Sequence, residues 1–112
     1  MSDFPQSTIS ADAGPVTLIN VFTCADERQN DLVDALDRAT AEIFRHLPGF
    51  ISANIHASAD RTRVVNYAQW ADTAAYEAMQ CREDVQRHMA EIMAIAESAD
   101  PRLFTVRAVH HA

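Results

Sequence analysis

The stretch Val64-Val65-Asn66-Tyr67-Ala68-Gln69-Trp70 decides how this chain is read. β-Branched and aromatic residues fill it, and the turn-forming Ser58-Ala59-Asp60-Arg61 precedes it, so a strand is predicted from Thr62 to Trp70. Alternate residues of a strand face the same way, which puts Val64, Asn66, Ala68 and Trp70 on one face. With that face toward the core, Asn66 is a buried amide that needs partners. Beside it, Trp70 offers a flat, polarisable surface and one N–H donor. An inward amide next to a large aromatic suits a pocket for a flat aromatic ligand better than it suits plain packing.

Working outward, Phe50 to Ala57 reads as the preceding strand and Val16 to Thr23 as the first, both β-rich and alternating. Between them, Asp26 and Gln29 resemble a capping box, and Leu32, Leu36, Ala39, Ile43 and Leu47 recur at helical spacing until Pro48-Gly49 stops the helix. After the central strand, Asp72 caps a short helix carrying Tyr76 and Met79. Arg82-Glu83-Asp84 breaks it, and a second piece follows with Val85, Met89, Ile92 and Ala96 on one face. Asp100-Pro101 is taken to end that piece, leaving Leu103 to Val109 as the last strand. The order β-α-β-β-α-β predicts an α+β, ferredoxin-like split βαβ fold: a four-stranded antiparallel sheet with helices on one face. Residues 15–112 form this single domain, and residues 1–14 a flexible N-terminal tail. The other sheet face, with Ile19, Val21, Ile51, Ile55, Val65 and Tyr67, is too apolar for solvent. It predicts a partner, most simply a second copy packed sheet to sheet as a homodimer.

Composition narrows the function. At 112 residues there is room for one domain. A net charge of −7 and a pI near 5.0 argue against nucleic acid and anionic membranes. All nine basic residues are Arg, which removes Schiff-base lysine chemistry. Cys24 and Cys81 are isolated, read as reduced thiols of a cytoplasmic protein. No histidine pair has metal spacing with a carboxylate, and the two glycines cannot build a phosphate loop. No signal peptide or membrane span is apparent.

Asn20 lies on the first strand, sharing a face with Val16, Leu18 and Phe22. Mid-strand Asn has poor β-propensity. Asn20, Asn66 and Trp70 are therefore predicted to line a cavity between sheet and helices, with Tyr76 closing it by its phenol. The plain alternative is that each Asn bonds neighbouring backbone and Trp70 fills core. Arg87, beside the apolar stripe of the last helix, is a candidate for an anionic substrate group; Arg82 reads as part of a solvated face. His56 ends the second strand on the face of Asn54, and His88 adjoins Met89.

Pro48-Gly49-Phe50, Ser52-Ala53, His56-Ala57-Ser58 and Asp60, followed by Asn66-Tyr67-Ala68-Gln69-Trp70, resemble the antibiotic biosynthesis monooxygenase family. Within it the chain is most similar to the small anthrone oxygenases of aromatic polyketide pathways, such as those of anthracyclines. The resemblance implies a dimer of ferredoxin-like subunits that turns an anthrone methylene into a quinone carbonyl with O₂ and no metal, flavin or haem. It implies Asn66, Trp70 and Tyr76 as site residues, with Asn20 and Arg87 matching some relatives; Asn66, Trp70 and Asn20 are taken as catalytic, and Tyr76, Arg87 and His56 as substrate-binding. Three other readings stay open. Haem-degrading monooxygenases of the same superfamily pair a first-strand Asn with a third-strand Trp, but need an axial His where this chain has Gln80. A non-catalytic or cyclase-like polyketide-binding protein would use the same pocket. A stress-type quinol oxygenase is the third.

Overall fold

The computed structural model describes residues 4–12 and 14–112. Among the described residues, four strands and three helices follow the order β1 (Val16–Thr23), α1 (Gln29–Glu42), β2 (Phe50–Ala57), β3 (Arg63–Trp70), α2 (Thr73–Gln80), α3 (Glu83–Ile95) and β4 (Ser98–Phe104). The strands form one antiparallel sheet in the order β2-β3-β1-β4, the split βαβ topology expected. Leu18, Phe22, Val64 and Trp70 from the sheet pack with Leu32, Leu36 and Ala39 of α1, and with Val85 and Ile92 of α3. The core therefore lies between sheet and helices. No helix among the described residues is long and apolar enough to cross a membrane.

Four expectations are corrected. The last strand is Ser98–Phe104, not Leu103 to Val109. Pro101 sits inside it, opposite Asn20; this is tolerated because β4 is an edge strand, where a missing N–H leaves no neighbour unpaired. Second, α1 ends at Glu42, and a single 3₁₀ turn over Phe44–His46 follows. Its tighter spacing lets Phe44 and Leu47 both reach the core.

Third, Asp26 and Gln29 form no capping box. Asp26–Arg28 is a 3₁₀ turn, and no side chain caps α1. The Gln29 amide is drawn instead to the β2–β3 turn, where Nε2 donates to the carbonyls of Ser58 (3.0 Å) and Arg63 (2.9 Å). In the same turn Asp60 accepts from the Ser58 hydroxyl, from the Thr62 hydroxyl and from the Thr62 N–H. These bonds hold its carboxyl at about 2.

Fourth, Ile55 belongs to the helix-side face. A bulge between Phe50 and Ser52 adds one residue to β2, which inverts the alternation downstream. Ile55 then stands opposite Asn66 and packs on the core, while Ser52, Asn54 and His56 take the outer face. That outer face still carries Ile19, Val21, Val65 and Tyr67, all half-buried. Of the expected tail, residues 1–3 and 13 lie outside the described residues. The described part has no helix or strand, and Ser7 Oγ donates to Asn54 Oδ1 at 2.7 Å, placing it against the outer face.

Candidate active site

The β1–β3 register puts Asn20 directly opposite Asn66, on the helix side of the sheet. Trp70, four residues on from Asn66, keeps the same face. Between them the small Ala68, flanked by Leu18 on β1 and Ala53 on β2, leaves space that larger side chains would fill. α2 and α3 roof this space. The Asp72 carboxylate caps α2 by accepting from Ala75 N–H at 2.8 Å, which starts the helix where Tyr76 and Met79 point down. Gly49 supports the same junction. Its φ is +84°, and a Cβ there would run into the Ala75 methyl, so the β2 entrance packs against α2 only with glycine.

The result is a cavity of about 280 Å³, close to the lower end of about 300 Å³ for small-molecule pockets. Leu36, Phe44, Phe50, Met79 and Met89 make its walls apolar, and none of its lining side chains is charged. Its polar groups are Asn20, Asn66, Trp70, Tyr76, Gln80 and Gln86.

Asn20 is 5 % exposed, Asn66 9 % and Trp70 2 %. Yet Asn20 Oδ1, Asn66 Oδ1 and Trp70 Nε1 are buried with no hydrogen-bond partner. The cause is topological. Asn66 is flanked by Asn20 and Ile55, and Trp70 by Val16 and Phe50; neither neighbourhood completes the pairing. An unmet buried polar group costs about 1–3 kcal/mol, and three of them are a large fraction of the roughly 5–15 kcal/mol by which a domain is stable. A half-turn of either Asn amide exchanges its oxygen and its NH₂, so each can offer a ligand a donor or an acceptor. The plain alternative, with each Asn bonded to nearby backbone, does not hold in this fold.

The aromatic groups are set edge to face. The Trp70 ring meets Phe50 at 5.4 Å and 86°, and Tyr76 at 6.5 Å and 69°. Tyr76 is buried, and burial pushes its phenol above 10, only partly offset by a hydrogen bond from Gln80. The phenol therefore stays neutral across ordinary assay pH. Gln80 Nε2 donates to the phenol oxygen at 3.0 Å.

Asn20, Asn66, Trp70 and Tyr76 are thus brought together as the sequence suggests. Arg87 and His56 are not. Arg87 is exposed on α3 and outside the lining, where its neighbour Gln86 stands instead. His56 opposes Val65 on the outer sheet face, because the bulge in β2 sets its parity. His88 faces Glu91, 3.8 Å away, also outside the lining. The sequence reading missed Gln80 and Gln86 as lining groups; the i,i+4 spacing of Tyr76 and Gln80 on a capped helix is the signal that points to the first.

Comparison with known proteins adds to this geometry. Tetracenomycin-F1 monooxygenase of Streptomyces glaucescens is 45% identical over 82 residues, 73% of each chain. SnoaB, a cofactor-independent oxygenase from Streptomyces nogalater, superposes with a TM-score of 0.73 at 27% identity, covering 87% of this chain and 97% of that one. The monooxygenase from the gene ActVA-Orf6 of Streptomyces coelicolor, in complex with nanaomycin D, gives a TM-score of 0.72 at 28% identity over 88% and 92% of the two chains. The family model for antibiotic biosynthesis monooxygenases matches residues 15–91. With that match spanning most of the chain, including Asn20, Asn66, Trp70 and Tyr76, the protein belongs to the antibiotic biosynthesis monooxygenase family.

Proposed function

We propose that this chain is a cofactor-independent oxygenase that converts the methylene of a polycyclic aromatic anthrone to a quinone carbonyl with O₂, in aromatic polyketide antibiotic biosynthesis. The observation that carries the reading is the set of three unpaired buried polar atoms on Asn20, Asn66 and Trp70 around an uncharged, apolar-walled cavity. Such a site holds a flat ligand by its walls and meets its oxygens with neutral hydrogen-bonding groups. The monooxygenase names of the relatives support an oxygenase, and SnoaB's description supports one without a cofactor.

The chemistry suits these residues. An anthrone CH₂ sits between two aryl rings and is conjugated to a carbonyl, so loss of a proton gives a delocalised phenolate-like anion. The anion gives one electron to O₂, and the carbon radical and superoxide combine to a peroxide. Protonation of the peroxide and loss of water, with the second methylene hydrogen, leave C=O; CH₂ and O₂ become C=O and H₂O. The reactivity is the substrate's own. What the protein contributes is orientation, donors for the oxygen that gains charge, and a dry site. The Trp70 N–H and an Asn66 amide turned to donate serve that oxygen. No lining residue is a carboxylate or an imidazole, so the methylene proton leaves to water held at an Asn20 or Asn66 amide oxygen. Tyr76 donates from the α2 side. In this reading Arg87, exposed on α3, serves a part of a ligand that protrudes from the cavity, and His56, on the opposite face of the sheet, takes no part in the cavity.

A haem-degrading role is not favoured by the residues: no histidine lines the cavity, and Gln80 stands where the resemblance to haem-degrading relatives calls for the axial histidine. The homodimer belongs to the proposal too, with Ile19, Val21, Val65 and Tyr67 as its contact face; light scattering of the wild type against Tyr67→Arg reports on it.

The test is O₂ uptake by metal-free, flavin-free protein given a tricyclic anthrone, with quinone absorbance followed in parallel. Uptake matched to quinone formation, well above the uncatalysed rate, is expected. Anthrone binding without uptake would make the chain a binding or cyclase-like protein instead.

A further inference from the structure

Tyr76 and Gln80 lie one turn apart on α2, and both line the cavity. Tyr76 is buried, and its phenol oxygen already accepts from the Gln80 amide N–H at 3.0 Å. A phenol has one hydrogen to give. With the Gln80 donor on the oxygen, that hydrogen must point elsewhere, and no protein acceptor takes it among the hydrogen bonds of the described residues. The open direction is the cavity. Gln80 is itself tethered: Gln86 Nε2 donates to the Gln80 carbonyl at 3.4 Å, bridging the break between α2 and α3.

We propose that Gln80 is a positioning residue for Tyr76: by donating to the phenol oxygen it turns the phenol O–H into the cavity, toward an oxygen of the bound aromatic ligand. This rests on the cavity being the ligand site, and it adds what sets the direction of the Tyr76 hydrogen bond. Gln80 is exposed at the rim, so its substitution leaves the core untouched. Glutamate is its isostere with the opposite polarity. A carboxylate accepts the phenol hydrogen and takes it away from the ligand, whereas methionine, with no strong donor or acceptor, leaves the phenol free to turn.

The experiment is a double-mutant cycle read by binding of danthron, a dihydroxyanthraquinone, from its absorbance shift, on full-length protein whose folding is checked by circular dichroism. Tyr76→Phe is expected to weaken binding about three- to ten-fold, the value of one hydrogen bond. Gln80→Glu is expected to weaken it as much, the double variant no more than either single one, and Gln80→Met less than Gln80→Glu. Wild-type affinity in Gln80→Glu overturns the proposal. So does a Gln80→Glu loss that persists in the Tyr76→Phe background, because it would come from charge repulsion rather than from the phenol. Absence of danthron binding by the wild type overturns it too. Anthrone oxidation measured on the same proteins separates the two claims: the full binding pattern without O₂ uptake removes the oxygenase reading alone, and uptake with a silent Gln80→Glu removes the positioning role alone.

Discussion

Two buried polar clusters in this protein have nearly the same burial and opposite hydrogen-bonding states. At the β2–β3 turn, Gln29 is 5 % exposed, and its amide donates to two backbone carbonyls, adding to the N–H bonds they accept from Arg61 and Ser58. Beneath α2 and α3, Asn20 is also 5 % exposed, and its carbonyl oxygen has no partner. Burial alone therefore does not mark a functional amide. The first cluster adds to the fold's own hydrogen bonding; the second leaves polar atoms without a protein partner around a cavity, at a cost to stability that a molecule bound there would offset. Selection for stability alone has no reason to keep the second arrangement.

The contrast can be broken by substitution, and the largest effect is expected in the cavity. Trp70→Phe and Asn66→Leu should each lower anthrone turnover about 10²- to 10³-fold, the range for removing a donor to a developing oxyanion. Asn66→Leu should at the same time leave thermal stability unchanged or raised, since an unmet polar atom is replaced by an apolar one. Near-normal turnover in both would detach Asn66 and Trp70 from the chemistry.

The reverse pattern is expected at the turn. Gln29→Leu removes the two amide bonds to the Ser58 and Arg63 carbonyls, each of which keeps its backbone N–H donor, and should destabilise the domain by about 1–3 kcal/mol in urea unfolding. Turnover per folded molecule should stay at the wild-type value. A variant as stable as the wild type would mean that water replaces the Gln29 amide without loss.

Smaller, pH-dependent effects sharpen the same distinction at opposite ends of the scale. Asp60 has its folded value lowered from 3.8 to about 2 by the Ser58 and Thr62 hydrogen bonds. Its stabilisation is therefore complete above pH 3.8 and lost as pH falls through about 2. Melting temperatures of Asp60→Asn should fall less steeply than the wild type's between pH 4 and 2. Tyr76 is shifted the other way, chiefly by burial. Its contribution is complete below pH 10 and lost as pH rises through its elevated folded value. Tyr76→Phe should flatten the decline of the melting temperature above pH 10, without changing the acid limb that Asp60 governs.

Much of this was legible in the chain. Alternation in β1 and β3 and the Asp72 cap follow from local chemistry, and together they place Asn20, Asn66, Trp70 and Tyr76 on elements that can meet. Where the reading went wrong, the cause was a feature that local pattern does not carry. One extra residue at the β2 bulge moved Ile55 inward and His56 outward. A proline compatible only with an edge strand was read as a terminator, because edge status is a property of the sheet. Gln29 looked like half of a cap, and was captured by a turn 29 residues away.

The sequence by itself therefore determined which side chains share a strand face or a helix turn, since those periods are properties of the backbone. Only the tertiary structure decided that Asn20 pairs with Asn66 across the sheet, that Ala68 and Ala53 leave room beside them, and that three of their polar atoms find no partner. Cross-strand register and the roof of a cavity arise from contacts between residues distant in sequence. Whether a buried polar group is satisfied is a question about those neighbours, not about the residue itself.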